Sequence, residues 1–82
     1  MNNKKVAKLK ITYQDATETI TPVELTQNST YDYTLRATLY IEKYIDTIDI
    51  ISNDETETYI SIDGSSLEKE NIYTFSQNLK IE

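Results

Sequence analysis

Twelve consecutive residues, Tyr31 to Glu42, alternate without a break between two sets. Tyr31, Tyr33, Leu35, Ala37, Leu39 and Ile41 form one set. Asp32, Thr34, Arg36, Thr38, Tyr40 and Glu42 form the other. Successive side chains of a strand point to opposite faces, so this pattern predicts a strand with one buried and one wet face.

The same period recurs along the chain. A first strand is expected over Val6 to Tyr13, with Ala7, Leu9, Ile11 and Tyr13 inward and Lys8, Lys10 and Thr12 in water. A second covers about Thr17 to Leu25. It contains Pro22, which cannot donate to a ladder and so marks an edge strand or a bulge. Beyond the strand from Tyr31, a fourth runs from Tyr44 to Ser52. There Ile45 and Ile51 share one parity, and Ile48 and Ile50 share the other. A bulge between Ile50 and Ile51, a central strand covered on both faces, or a contact face for another chain would each explain this.

Ser52 to Glu55 reads as a turn. A fifth strand, Thr56 to Asp63, is expected to hairpin with the fourth, turning Thr58, Ile60 and Ile62 inward and Glu57, Tyr59, Ser61 and Asp63 outward. Asp63-Gly64 is the one strong glycine turn. Ser65 to Glu68 reads as a polar loop or a single helical turn. A sixth strand covers Asn71 to Ser76. Leu79 and Ile81 suggest a short seventh or a packed tail. The expected fold is all-β: a small antiparallel sheet of 5–7 strands, meander or Greek key, barrel or sandwich. With a single glycine in 82 residues, its turns must rest on Asn, Asp and Ser. Residues 1–82 make one domain, and residues 1–5 are expected as a flexible basic arm.

Composition removes several classes of chemistry. The chain has no histidine and no cysteine. The commonest general base, the thiol nucleophile and the thiolate metal site are therefore absent. One glycine cannot build a phosphate-cradling loop or a dinucleotide fingerprint. The acids between Asp46 and Asp63 are suitable oxygen ligands, but they do not follow the calcium-loop spacing. No enzyme activity, cofactor or metal is expected. No apolar run exceeds three residues, so no membrane partner is expected, and a cytoplasmic setting fits the absence of cysteine.

Charge is placed unevenly. Residues 1–10 carry +4 from Lys4, Lys5, Lys8 and Lys10; the remaining residues carry −10, for a net −6. Such a body repels nucleic acid across its main surface and attracts a basic protein surface. Between Glu42 and Asp63 seven acids stand against Lys43 alone. Tyrosine is favoured in interfaces because it buries area and keeps a hydroxyl. The expected partner-binding set is Tyr40, Asp46, Asp49, Asp54, Glu55, Glu57 and Tyr59. The function that fits is a small acidic binding protein. It would be an inhibitor that occupies a basic, nucleic-acid-binding surface, of the kind a phage or mobile element carries. The alternative is a structural or self-assembling β subunit, in which a homodimer is allowed.

Overall fold

A computed structural model describes residues 4–82. It is all-β, with six antiparallel strands in one curled sheet: β1 (Lys4–Tyr13), β2 (Glu18–Gln27), β3 (Asp32–Ile41), β4 (Ile45–Ser52), β5 (Thr58–Asp63) and β6 (Asn71–Lys80). The strand order is β5-β4-β1-β2-β3-β6. Strands β4-β1-β2-β3 stand in the order of a Greek key. The return from β3 to β4 uses only Glu42, Lys43 and Tyr44. Four chain steps reach about 13–14 Å when fully extended. Three strand spacings in a flat sheet amount to about 14 Å, so a flat sheet would hold this return taut at the limit of its reach. The sheet instead curls, bringing the end of β3 over the β1–β2 turn. There the Gln14 amide donates to the Tyr44 carbonyl at 2.9 Å, and Lys43 reaches Asp15 at 3.1 Å. The Lys43 ammonium also lies 4.6 Å from the centre of the Tyr13 ring.

The curl wraps one apolar face around itself. Ala7, Leu9, Ile11 and Tyr13 of β1 are buried there with Leu25, Leu35, Ile41, Ile45, Ile48, Ile50 and Leu79. Full burial of one such aliphatic side chain is worth about 1.5–3 kcal/mol. The period-two expectation for β1 holds throughout. It holds for β3 except at Tyr31, which precedes the strand and is 53% exposed. Hydrogen bonds from the Asn28 and Ser29 amides to the Asp32 carbonyl bend the chain there and take Tyr31 off the inner face.

Ile45 and Ile48 both face the core because β4 carries a bulge. Thr12 pairs Thr47 and Tyr13 pairs Ile45, so Asp46 is the extra residue. A second register shift lies at Ile50/Ile51, as one of the expectations had it, but the extra residue is on the partner strand. Ile50 pairs Ile60 and Ile51 pairs Thr58, which leaves Tyr59 unmatched in β5. Ile50 and Ile51 thus keep opposite faces in a strand flanked on both sides. Ile51 is 6% exposed yet stands apart from the core cluster. Its ladder neighbours are Lys8 and Thr58. The β5 bulge also corrects two assignments. Thr58 is exposed instead of inward, and Tyr59 packs against the core instead of facing water.

Pro22 sits opposite Lys8 in an unbroken register with β1. β2 touches β3 through Thr26–Thr34 and Gln27–Tyr33 only. The two strands then diverge, so Pro22 faces an unpaired edge, as its missing N–H requires. Residues 65–68 form a turn and no helix. The expected sixth strand and the tail beyond it are one strand, β6, which pairs with β3 from Asn71 to Lys80. Of the expected basic arm, Lys4 and Lys5 belong to β1, opposite Thr26 and Leu25, and residues 1–3 lie outside the described residues.

Two hairpin turns share one device. Asp15-Ala16-Thr17 and Asp54-Glu55-Thr56 each place the middle residue in the left-handed region, at φ 72° and 65°. In each, the aspartate accepts from the amide and the hydroxyl of the following threonine. These contacts hold a conformation that costs an L-residue about 1–2 kcal/mol. Gly64 is the opposite case. Its φ is not positive, but it is buried, and a Cβ there would overlap the Cγ2 methyl of Ile45. Urea denaturation should therefore find Ala16→Gly more stable than the parent by about 0.5–1 kcal/mol. Gly64→Ala should be less stable by about 1–3 kcal/mol.

Candidate functional site

Residues 42–70 comprise β4, β5 and the segments that lead into and out of them. They hold nine acids against Lys43 and Lys69, a balance of −7. All the rest of the chain balances to +1, from six bases and five acids. The net charge of −6 is thus concentrated in one stretch of the chain, which spans β4 and β5 and, through Glu42, Glu68 and Glu70, reaches the adjoining ends of β3 and β6. Eight of the nine acids are exposed, and Asp49 is half-buried. Charge of one sign gathered on one side creates a directional field that an evenly mixed surface does not.

The expected contact residues divide over this border and beyond it. Asp46 projects from the β4 bulge at one end of the hairpin and is exposed. Asp49 lies midway along β4, opposite Lys10 of β1 and Ser61 of β5, and accepts from the Ser61 hydroxyl. Asp54, Glu55 and Glu57 occupy the β4–β5 turn at the other end. Asp46 and the turn are separated by the length of β4, about 25 Å.

Asp54 is occupied with holding the turn. Its carboxylate accepts from the Ser52 hydroxyl at 2.8 Å, the Thr56 amide at 3.1 Å and the Thr56 hydroxyl at 2.7 Å. These donors, the Thr56 hydroxyl foremost, hold its pKa at about 2, below the ordinary 3.8. Asp15 is held at about 2 in the matching turn, chiefly by the Thr17 hydroxyl. Asp63 is lowered by the hydroxyl and then the amide of Ser65. Glu55 pairs with Lys8 at 2.9 Å, and Lys10 pairs with Glu18 at 3.3 Å. The lysines of β1 therefore share the outer face with the acids of β4. Among the described residues Asp46, Glu57, Asp63, Glu68 and Glu70 form no ion pair.

The two tyrosines separate from the acids. Tyr40 lies on the outer face of β3 beside Ile72 of β6, and the pair are 63% and 72% exposed. Tyr59 turns inward and lines a cavity of about 540 Å³ with Tyr33, Ile60 and Leu79. Asn28, Asp32, Asn78 and Lys80 complete the lining. The cavity opens between β5, β6 and the start of β3, where the curled sheet does not close. A second cleft, of about 570 Å³, marks the divergence of β2 from β3 above Leu9, Val23, Leu35 and Leu39. Glu68, Glu70 and the tyrosine-lined cavity were not among the expected contact residues. A count of acids carried past Asp63 finds the first two. The cavity depends on the Tyr59 bulge, which no residue type announces.

No group of three or more candidate metal ligands occurs among the described residues. No helix among them is long and apolar enough to cross a membrane. Comparison with protein-family models, with curated proteins and with solved structures finds no match to this chain.

The lowered carboxylates fix a pH dependence. An aspartate whose folded pKa lies below its unfolded value contributes stability that is fully present above the unfolded value, and loses it as pH falls through the folded one. For Asp15 and Asp54 that window runs from 3.8 down to about 2. Chemical denaturation from pH 5 to pH 2 should show the parent losing stability across it. The Asp15→Asn/Asp54→Asn variant should start lower and lose less.

Proposed function

We propose that this chain is a small non-enzymatic binding module that docks its β4–β5 border against a basic protein surface. The most concrete form is an inhibitor that covers the nucleic-acid-binding surface of its partner. One observation carries this reading: a balance of −7 over residues 42–70, against +1 over all the others. Carboxylates on a rigid sheet are held at fixed spacings, as the phosphates of a nucleic acid are. A basic groove built for phosphates meets the same sign of charge at comparable density. Such a field raises the association rate and rejects acidic partners.

The acids that carry the contact are those free of structural duty. Asp46 and Glu57 are exposed and form no ion pair. Asp49 lies on the outer face between them. Glu55 is shared with Lys8, and Asp54 serves its turn. Tyr40 lies apart, on the outer face of the other half of the sheet.

The test is capture of a partner by immobilised protein, identification of that partner, and titration of the purified pair. The complex should weaken by more than tenfold between 50 and 300 mM salt. Asp46→Asn/Asp49→Asn/Glu57→Gln should weaken it further, and Asp54→Asn should act only through stability. A complex indifferent both to salt and to the triple variant would end this reading. The alternative, a self-assembling subunit, draws support from the strand edges that the curl leaves unpaired. A salt-resistant oligomer of the pure protein in light scattering would place it first.

A further inference from the structure

Two strand edges of this fold lack a partner and carry a charge only at their last residue, Asp63 of β5 and Lys80 of β6. β5 is hydrogen-bonded to β4 alone and β6 to β3 alone, and the curl turns their free edges toward each other. No residue from Thr58 to Ile62, or from Asn71 to Leu79, is charged, in a chain that is 27% charged. Free edges usually carry a lysine or a proline that discourages pairing. β5 has neither, its one such device being the bulge at Tyr59, and β6 has only Lys80, at its end.

The seam between these edges is closed at one end and open at the other. At the closed end, Leu67 and Phe75 pack against the core between β5 and β6. At the open end, the cavity of about 540 Å³ separates Tyr59 and Ile60 of β5 from Asn78 and Leu79 of β6. Its floor is aromatic and aliphatic. Its charged lining residues are Asp32 and Lys80, which face each other across the β6–β3 ladder, and the exposed Glu57 stands just before β5, with Thr58 between it and the lining residue Tyr59.

We infer that the open end of this seam takes a short extended segment of a basic partner, added as a strand along β5 at Tyr59–Ser61. The segment places apolar side chains at alternate positions over Tyr33, Tyr59 and Leu79. Its basic residues lie toward Glu57 and the turn before it. Backbone hydrogen bonds supply affinity in strand addition, and the pockets for alternate side chains supply preference. The charge complementarity is that of the β4–β5 border. The inference rests on the proposed function and narrows the partner from a basic surface to one that presents an extended chain.

Three kinds of synthetic heptapeptide test it against the whole protein: alternating Lys and Val, the same peptide N-methylated at alternate backbone nitrogens in either phase, and alternating Glu and Val. N-methylation removes strand donors and leaves charge unchanged. Amide NMR titration should show the Lys peptide shifting Tyr59, Ile60 and Ser61. One N-methyl phase should bind about tenfold or more weakly, as expected for the loss of two or three backbone hydrogen bonds. Tyr59→Ser should weaken the Lys peptide as well. Equal binding of the Lys peptide and both N-methyl phases would overturn strand addition and leave the charge-based function standing. Equal binding of the Lys and Glu peptides would overturn both. Absence of binding at millimolar peptide, or concentration-dependent shifts of these amides in protein alone, would also overturn the inference; the latter would assign the seam to a second copy.

Discussion

β1 is the strand from which the other five are organised. It is hydrogen-bonded to β2 on one side and β4 on the other, and Ala7, Leu9, Ile11 and Tyr13 put its inner face at the centre of the core. Both its neighbours must then bend the sheet around those four side chains, since a chain of 82 residues has no second layer to cover them. The short return from β3 to β4 favours the same curl from the other direction. Lys43 ties that return to the β1–β2 turn through Asp15, Thr17 and the Tyr13 ring.

The curl is incomplete, and the incompleteness positions everything of functional interest. β2 and β3 join at one corner and then diverge. β5 and β6 face each other without pairing. Each opening exposes strand edges above an apolar floor. The open end of the β5–β6 seam adjoins the β4–β5 turn with Asp54, Glu55 and Glu57, while Asp46, Asp63, Glu68 and Glu70 lie toward its closed end. Bulges at Asp46 and Tyr59 adjust the β4–β5 border. One lifts a carboxylate out of the ladder, and the other drops a tyrosine into the cavity.

Much of this was legible in the sequence, because period two survives wherever a ladder is regular. β1 and most of β3 follow it residue by residue, and that recurring alternation indicated the all-β class. Pro22 marked a strand with one free edge before any pairing was known. The failures have local causes. Thr58 and Tyr59 sit beside a bulge, which inverts parity without any glycine or proline to mark it. β6 was cut short because Gln77 and Asn78 look like a break. In the fold Asn78 accepts from Thr34 across the ladder at 2.8 Å, and Gln77 is half-buried with its amide on the neighbouring carbonyl. The left-handed residues of the two hairpin turns are Ala16 and Glu55, where Asn, Asp or Ser was expected. The aspartate before each and the threonine after it supply the bonds that hold them. For the site, the density of acid was legible, but its division was not. Which carboxylates are spent on turns and ion pairs depends on contacts made by residues as far apart as Lys8 and Glu55.

The fold is a sheet that curls and stays open along two seams. Through-hydrogen-bond scalar couplings, measured by NMR on the isotopically labelled protein, report each backbone pair directly. They should connect β5 to β4, β4 to β1, β1 to β2 and β3 to β6, with β2 joined to β3 only around Thr26–Thr34 and Gln27–Tyr33. No coupling should link β5 to β6. A continuous set of couplings from Glu18–Leu25 of β2 to β3, or any ladder between β5 and β6, would describe a closed barrel and contradict the account.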